Sequence, residues 1–227
     1  MFLSSRRILL FVIAISAALV IAAILWFSRE TIDLAHETAP SKQGESAYPP
    51  WIYGRTDARF TIVEYADLEC AYCRAYFPVM RRWINDHPEV NLQWHHLPLS
   101  IHEPTATQAA QLAECVGENE GNTAFWNTID RIYKQGHASR VRLAAEAQLS
   151  APSAAVQACL EAGSFLARIQ EQAAAAAREG ITTTPTLRLI DRETGKELTL
   201  HGPTEGDALL SAIDLLTSVS ESSRIAK

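Results

Sequence analysis

Residues 60–73 constrain the fold of this chain more than any other stretch. Phe60-Thr-Ile-Val-Glu-Tyr-Ala66 is rich in β-branched and aromatic residues, the composition of a strand. Four residues on, Cys70-Ala-Tyr-Cys73 opens the segment 71–86, where Tyr72, Tyr76, Met80, Trp83 and Ile84 fall at a helical period. The cysteine pair therefore sits at a strand-to-helix turn, on a helix N-terminus. Unpaired N–H groups and the positive end of the helix dipole meet there, a field that favours a thiolate. With two residues between them, the sulfurs lie within one helical turn and can pass between dithiol and disulfide with little backbone movement. Half of a zinc site is the competing reading, but zinc needs a second close pair or a spaced histidine arm. Cys115 and Cys159 are isolated and His95-His96 are adjacent, so no metal site and no cofactor are expected.

Val90 to His96 reads as a second strand, which makes a β-α-β unit with a parallel pair. Residues 104–180 then read as helical almost throughout. Thr105 to Cys115 form one helix ended near Gly117, and Asn122 to Tyr133 another ended by Gly136. Ser139 to Leu149 form a third. Ser150 and Pro152 open a fourth that stops at Gly163, and Ser164 caps a fifth that runs through five alanines to Gly180. After Pro185, Thr186 to Asp191 and Glu197 to His201 are joined by a Glu193-Thr-Gly-Lys196 turn, a hairpin signal. Ala208 to Val219 is a closing amphipathic helix. The order is β-α-β, a helical insertion, then β-β-α.

The N-terminal end is a different material. Residues 8–28 carry no charge, and 21 residues of helix reach roughly 30 Å, about the hydrocarbon thickness of a bilayer. Arg6 and Arg7 precede them, which places residues 1–7 in the cytoplasm and the remainder outside it. A cleaved signal peptide competes with an uncleaved anchor, but the run is long and Leu25-Trp26-Phe27 is bulky where cleavage needs small residues. Residues 29–50, with Pro40, Gly44, Pro49 and Pro50, read as a tether, and residues 51–227 as one domain. Beyond residue 30 the chain holds 17 basic and 25 acidic residues, which argues against a nucleic-acid partner.

Taken together, Glu64-Tyr-Ala-Asp-Leu-Glu-Cys70-Ala-Tyr-Cys73 and the distant Thr184-Pro185 resemble the DsbA-like thiol–disulfide oxidoreductases. These are exported, in part membrane-anchored, members of the thioredoxin-fold superfamily. The resemblance covers roughly residues 51–218 and implies an α/β thioredoxin fold with an all-helical insertion, here behind one N-terminal transmembrane helix. It implies that Cys70 is the attacking cysteine, Cys73 the buried resolving one, and Pro185 the cis-proline packed beside them. Thr184 would offer its backbone to an extended substrate. Glu64 would be the buried acid that handles the Cys73 proton. Its strand parity puts it with Ile62 and Ala66, and burial on that face would raise its pKa. Cys115 and Cys159 resemble a second, structural disulfide seen in some of these proteins; two buried free thiols or a second redox pair remain open, and a Cα separation above about 7 Å would exclude a bond.

The same resemblance implies an exported, inner-membrane, single-pass location and a monomer. Its partners would be exported proteins with cysteines and a membrane redox partner, either a DsbB-like oxidant or a DsbD-like reductant. Tyr72 stands where DsbA has histidine and supplies no positive charge, so a less extreme oxidant than DsbA is expected. A reductase or isomerase of the same fold is the alternative, and a tethered binding module with an inert site is the alternative from another class. His102 is expected to cap the first insertion helix or to sit at the site rim. Tyr72, Tyr76 and Phe77 are divided between a substrate surface and the core.

Overall fold

In a computed structural model of the chain, residues 50–135 and 152–225 are described, with side chains as far as residue 218. They lie within one compact unit, Ser46–Lys227. The uncharged run 8–28, the tether up to residue 49, and the expected helix 139–149 lie outside the described residues. Among the described residues no helix is long and apolar enough to cross a membrane.

The elements are β1 (Ile52–Tyr53), β2 (Phe60–Ala66), α1 (Ala71–Asp86), β3 (Val90–His96), a 3-10 turn (Ser100–His102), α2 (Thr105–Glu120), α3 (Asn122–Gln135), α4 (Ala154–Ala162), α5 (Leu166–Arg178), β4 (Thr186–Asp191), β5 (Lys196–His201) and α6 (Gly206–Ile225). They form a five-stranded sheet in the order β1-β3-β2-β4-β5. β2 and β3 are parallel, from Phe60 opposite Val90 to Ala66 opposite His96, and the other pairings are antiparallel. Central β2 is buried on both faces along its whole length, which is why it reads as a run without polar alternation. Edge strand β5 alternates half-buried and exposed residues.

One face of the sheet holds the main core, including Phe60, Ile62, Phe77, Met80, Leu92, Trp94 and Trp126. The other holds a smaller cluster of Val63, Tyr65, Leu97, Ala176 and Ile181. The insertion is bound to the main core by aromatic packing. Phe77 of α1 stacks on Trp126 of α3 at 6.2 Å, and Trp51 stacks on Phe125 at 4.6 Å. A buried polar cluster adds to this. Glu114 Oε2 of α2 accepts from Trp51 Nε1 (3.0 Å) and Arg168 Nη1 of α5 (3.2 Å), while its Oε1 lies 3.1 Å from His96 Nε2 of β3. Trp94 Nε1 donates to His96 Nδ1 at 3.0 Å. Indole is a donor only, so His96 Nδ1 must accept, and the proton of the neutral ring sits on Nε2, facing Glu114. Burial pulls the Glu114 carboxyl upward, but His96, Arg168 and Trp51 outweigh it and hold it below the usual range.

Several boundaries differ from expectation. Helix α2 does not end near Gly117 but continues to Glu120, with Gly121 as its C-cap. Gly117 is there for closeness: a Cβ would meet the Trp51 ring at 2.6 Å. Helix α3 runs to Gln135, two residues past Tyr133. Ser153, not Ser150, caps α4, accepting from the Val156 N–H at 3.4 Å. Ser164 caps nothing, since α5 begins at Leu166 behind Phe165. The closing helix spans Gly206–Ile225, longer than 208–219. β1 is a two-residue strand that no periodicity in the sequence signals.

Candidate active site

The strand-to-helix turn is built around Asp67. Its Oδ1 accepts the Glu69 N–H at 2.7 Å, closing an Asx turn, and its carbonyl accepts the Cys70 N–H at 3.1 Å. Cys70 is the N-cap residue of α1, and its carbonyl accepts the Arg74 N–H at 3.0 Å. The two cysteines are free thiols, placed at the positive end of α1.

Their environments differ. Cys70 is pulled down to about 5, chiefly by the hydrogen bond from the Cys73 thiol, with Thr184 and the backbone N–H groups of Cys73 and Tyr72 adding to it against the cost of burial. Cys73 is fully buried, and burial, Cys70 and Glu64 together push its thiol far up. Glu64 is 0% exposed, and neither carboxylate oxygen has a hydrogen-bond partner. Desolvation raises it to about 8. A buried carboxyl near 8 holds its proton at neutral pH, with no hydrogen bond to fix it in place.

The second wall is the loop before β4. Thr184–Pro185 is a cis peptide, and the Thr184 carbonyl oxygen lies 3.6 Å from Cys70 Sγ. The Pro185 carbonyl accepts the Gly202 N–H at 2.9 Å. Two residues further on, the Thr204 carbonyl accepts the Tyr76 hydroxyl of α1 at 2.6 Å. The cysteine helix and the proline loop are thus tied together through the β5–α6 connection. Tyr72 is 69% exposed beside the pair, whereas Tyr76 and Phe77 belong to the core.

All of Glu64, Cys70, Cys73, Thr184 and Pro185 are therefore assembled at one end of the sheet. Cys115 and Cys159 are elsewhere, bonded to each other between α2 and α4 with Cα atoms 5.8 Å apart. A second cis peptide, Glu103–Pro104, was not expected. His102 does not cap α2: it sits on the 3-10 turn, its Nδ1 2.8 Å from Asp67 Oδ2. Sequence reasoning missed Asp67 and Tyr133, whose hydroxyl donates to the Asp67 carbonyl at 3.1 Å. An aspartate three residues before the first cysteine, just past a strand, is the signal that would have found Asp67.

Fold and site together define a thioredoxin-fold thiol–disulfide oxidoreductase with a helical insertion. The family model described as "Thioredoxin" matches residues 46–214, and the chain belongs to that family. The crystal structure of Pseudomonas aeruginosa DsbA2 is similar with a TM-score of 0.66 and 37% identity, over 75% of this chain and 97% of that one. Wolbachia pipientis alpha-DsbA1, at 20% identity and a TM-score of 0.61, shares the fold over 74% of this chain and 90% of its own. Among curated relatives, the Na(+)/H(+) antiporter NhaA 3 of Salinispora tropica is 36% identical over 110 residues, 48% of this chain and 15% of that protein. NhaA of Herminiimonas arsenicoxydans is 30% identical over 171 residues, 73% of this chain and 26% of that protein. The chain thus spans about a sixth to a quarter of these antiporters' length.

Proposed function

We propose that the chain donates its Cys70–Cys73 disulfide to exported proteins through a mixed disulfide. The carrying observation is the contrast between the two thiols: Cys70 is pulled to about 5 while Cys73 is pushed far up. A substrate thiolate attacks Cys70 Sγ, the Cys70–Cys73 bond breaks, and the electron pair stays on Cys73. Glu64, protonated at neutral pH, gives that sulfur its proton. A second substrate thiolate then attacks the substrate sulfur of the mixed disulfide. Cys70 leaves as its stabilised thiolate, and the two electrons end on the pair. The Thr184 carbonyl beside Cys70 suits backbone pairing with an extended substrate segment.

A Cys70 thiol near 5 lies between thioredoxin, about 7, and DsbA, about 3.5. The pair should be an oxidant of intermediate strength, above about −230 mV and below about −120 mV. The uncharged run 8–28 supports tethering to the inner membrane with the domain on the periplasmic side, as a monomer recycled by a DsbB-like oxidant. Tyr72, in place of a cationic residue, favours the second reading, a reductase or isomerase fed by a DsbD-like donor. Equilibration of the pair with a glutathione buffer tests the direction. A value above about −180 mV supports the oxidase, and one below about −230 mV overturns it in favour of the reductase.

A further inference from the structure

We propose that His102 is a positioning residue for this exchange, acting through Asp67 to fix the turn that carries both cysteines. The inference rests on the oxidoreductase reading above and concerns a residue outside the reacting set. Asp67 is 1% exposed, and its carboxylate accepts three donors: the Glu69 N–H (2.7 Å) on Oδ1, and the Leu99 N–H (2.8 Å) and His102 Nδ1 (2.8 Å) on Oδ2. Its carbonyl accepts two more, the Cys70 N–H and the Tyr133 hydroxyl, each at 3.1 Å. The Asp67 backbone N–H also acts on the Cys73 sulfur, where it favours the thiolate.

One residue therefore holds the Cys70 backbone and bears on the Cys73 thiol. Its carboxylate is the anchor that joins the turn after β2 to the segment after β3. Two of the three carboxylate donors are main-chain amides, which only a proline would remove. His102 supplies the third, and it stands at the rim, its side chain 22% exposed and next to Ile101, which is 83% exposed. When the Cys70–Cys73 bond breaks, the electron pair lands on Cys73, whose thiolate the Asp67 backbone favours. The charges of Cys73, Glu64, Asp67 and Cys70 all bear on the buried Tyr133 hydroxyl, which itself holds the Asp67 carbonyl, so a turn that drifts shifts the balance between the two sulfurs. A buried carboxylate with one donor missing has reason to drift.

The test uses the full chain carrying His102→Ala, His102→Asn or His102→Gln. The asparagine amide falls where Nδ1 was, and the glutamine amide near the position of Nε2. Two quantities are measured: the rate at which oxidised protein is reduced by glutathione, and the pH midpoint of Cys70 alkylation by iodoacetamide in the reduced protein. His102→Ala should slow reduction about three- to tenfold and move the midpoint, the worth of one hydrogen bond. His102→Asn should restore both, and His102→Gln should not. A wild-type rate and midpoint in His102→Ala overturn the proposal, as do Asn and Gln variants that behave alike. Should His102→Ala fail to fold, the Asn–Gln contrast alone decides. Absence of exchange in the wild type, or exchange that survives Cys70→Ser, sinks the oxidoreductase reading itself.

Discussion

The molecule holds two cysteine pairs, and their surroundings divide the chemistry between them. Cys70 and Cys73 follow each other within one helical turn, on a helix N-terminus, with an unpartnered buried acid nearby. One thiol is pulled down and the other pushed up, so each redox state has a charge arrangement that suits it. Cys115 and Cys159 are 44 residues apart and join two helices. Cys115 is 0% exposed and follows Glu114, whose charge is committed to Trp51, Arg168 and His96. The first pair has a field that stabilises a free thiolate, and the second has a neighbour that supplies negative charge. The surroundings suit the first pair to exchange and the second to cross-linking; the sulfur is the same in both.

The sharpest way to break this contrast is to remove one sulfur at a time. Cys70→Ser should abolish thiol exchange completely, and Cys73→Ser should accumulate mixed disulfides visible on a non-reducing gel. A Cys70→Ser protein that still exchanges would erase the distinction. Next in size, Glu114→Leu should destabilise the fold by about 3 kcal/mol, because it takes the buried acceptor away from the Trp51 indole and the Arg168 guanidinium. Thermal unfolding reads this loss, while the Cys70–Cys73 potential should stay at its wild-type value.

Replacing Cys115 and Cys159 together by alanine should cost about 2–4 kcal/mol of stability for a loop of this length, again without moving that potential. A potential that moved would mean the two pairs are coupled. Glu64→Gln should slow exchange by up to about a hundredfold, the low end of general acid–base catalysis. It should also change the pH dependence of stability. Glu64 is raised from 4.5 to about 8 in the folded protein, so the folded state holds a proton that the unfolded state has lost. In the oxidised wild type, where Cys70 and Cys73 are bonded and do not titrate, stability should therefore fall as pH rises from about 4.5 to about 8, and Glu64→Gln should flatten that slope; in the reduced protein the lowered Cys70 thiol opposes it. Denaturant titrations across the window measure it.

Much of this was legible from local pattern. β2, β3, β4 and α1 begin and end where their composition turns, because strand and helix periods repeat on neighbours two to four residues apart. The Cys70–Cys73 pair was legible for the same reason, being a short spacing at a recognisable junction. What escaped depends on distant partners. Gly117 looks like a helix stop, and only the ring of Trp51, 66 positions earlier, explains why a glycine stands inside the helix. Ser150 and Ser153 are both cap-type residues ahead of α4, and the helix starts behind Ser153. Asp67 and His102 are 35 residues apart, and no period connects them.

The fit of Trp51 over Gly117 also sets a practical limit for anyone shortening the protein. The first strand begins at Ile52, so an excision guided by secondary structure would cut just after the indole. That cut would remove the Phe125 stack and one donor to Glu114 and leave a slot the width of a ring along α2. A shortened version for crystallisation or display should start upstream of the proline pair at 49–50, with the tryptophan retained as its lock.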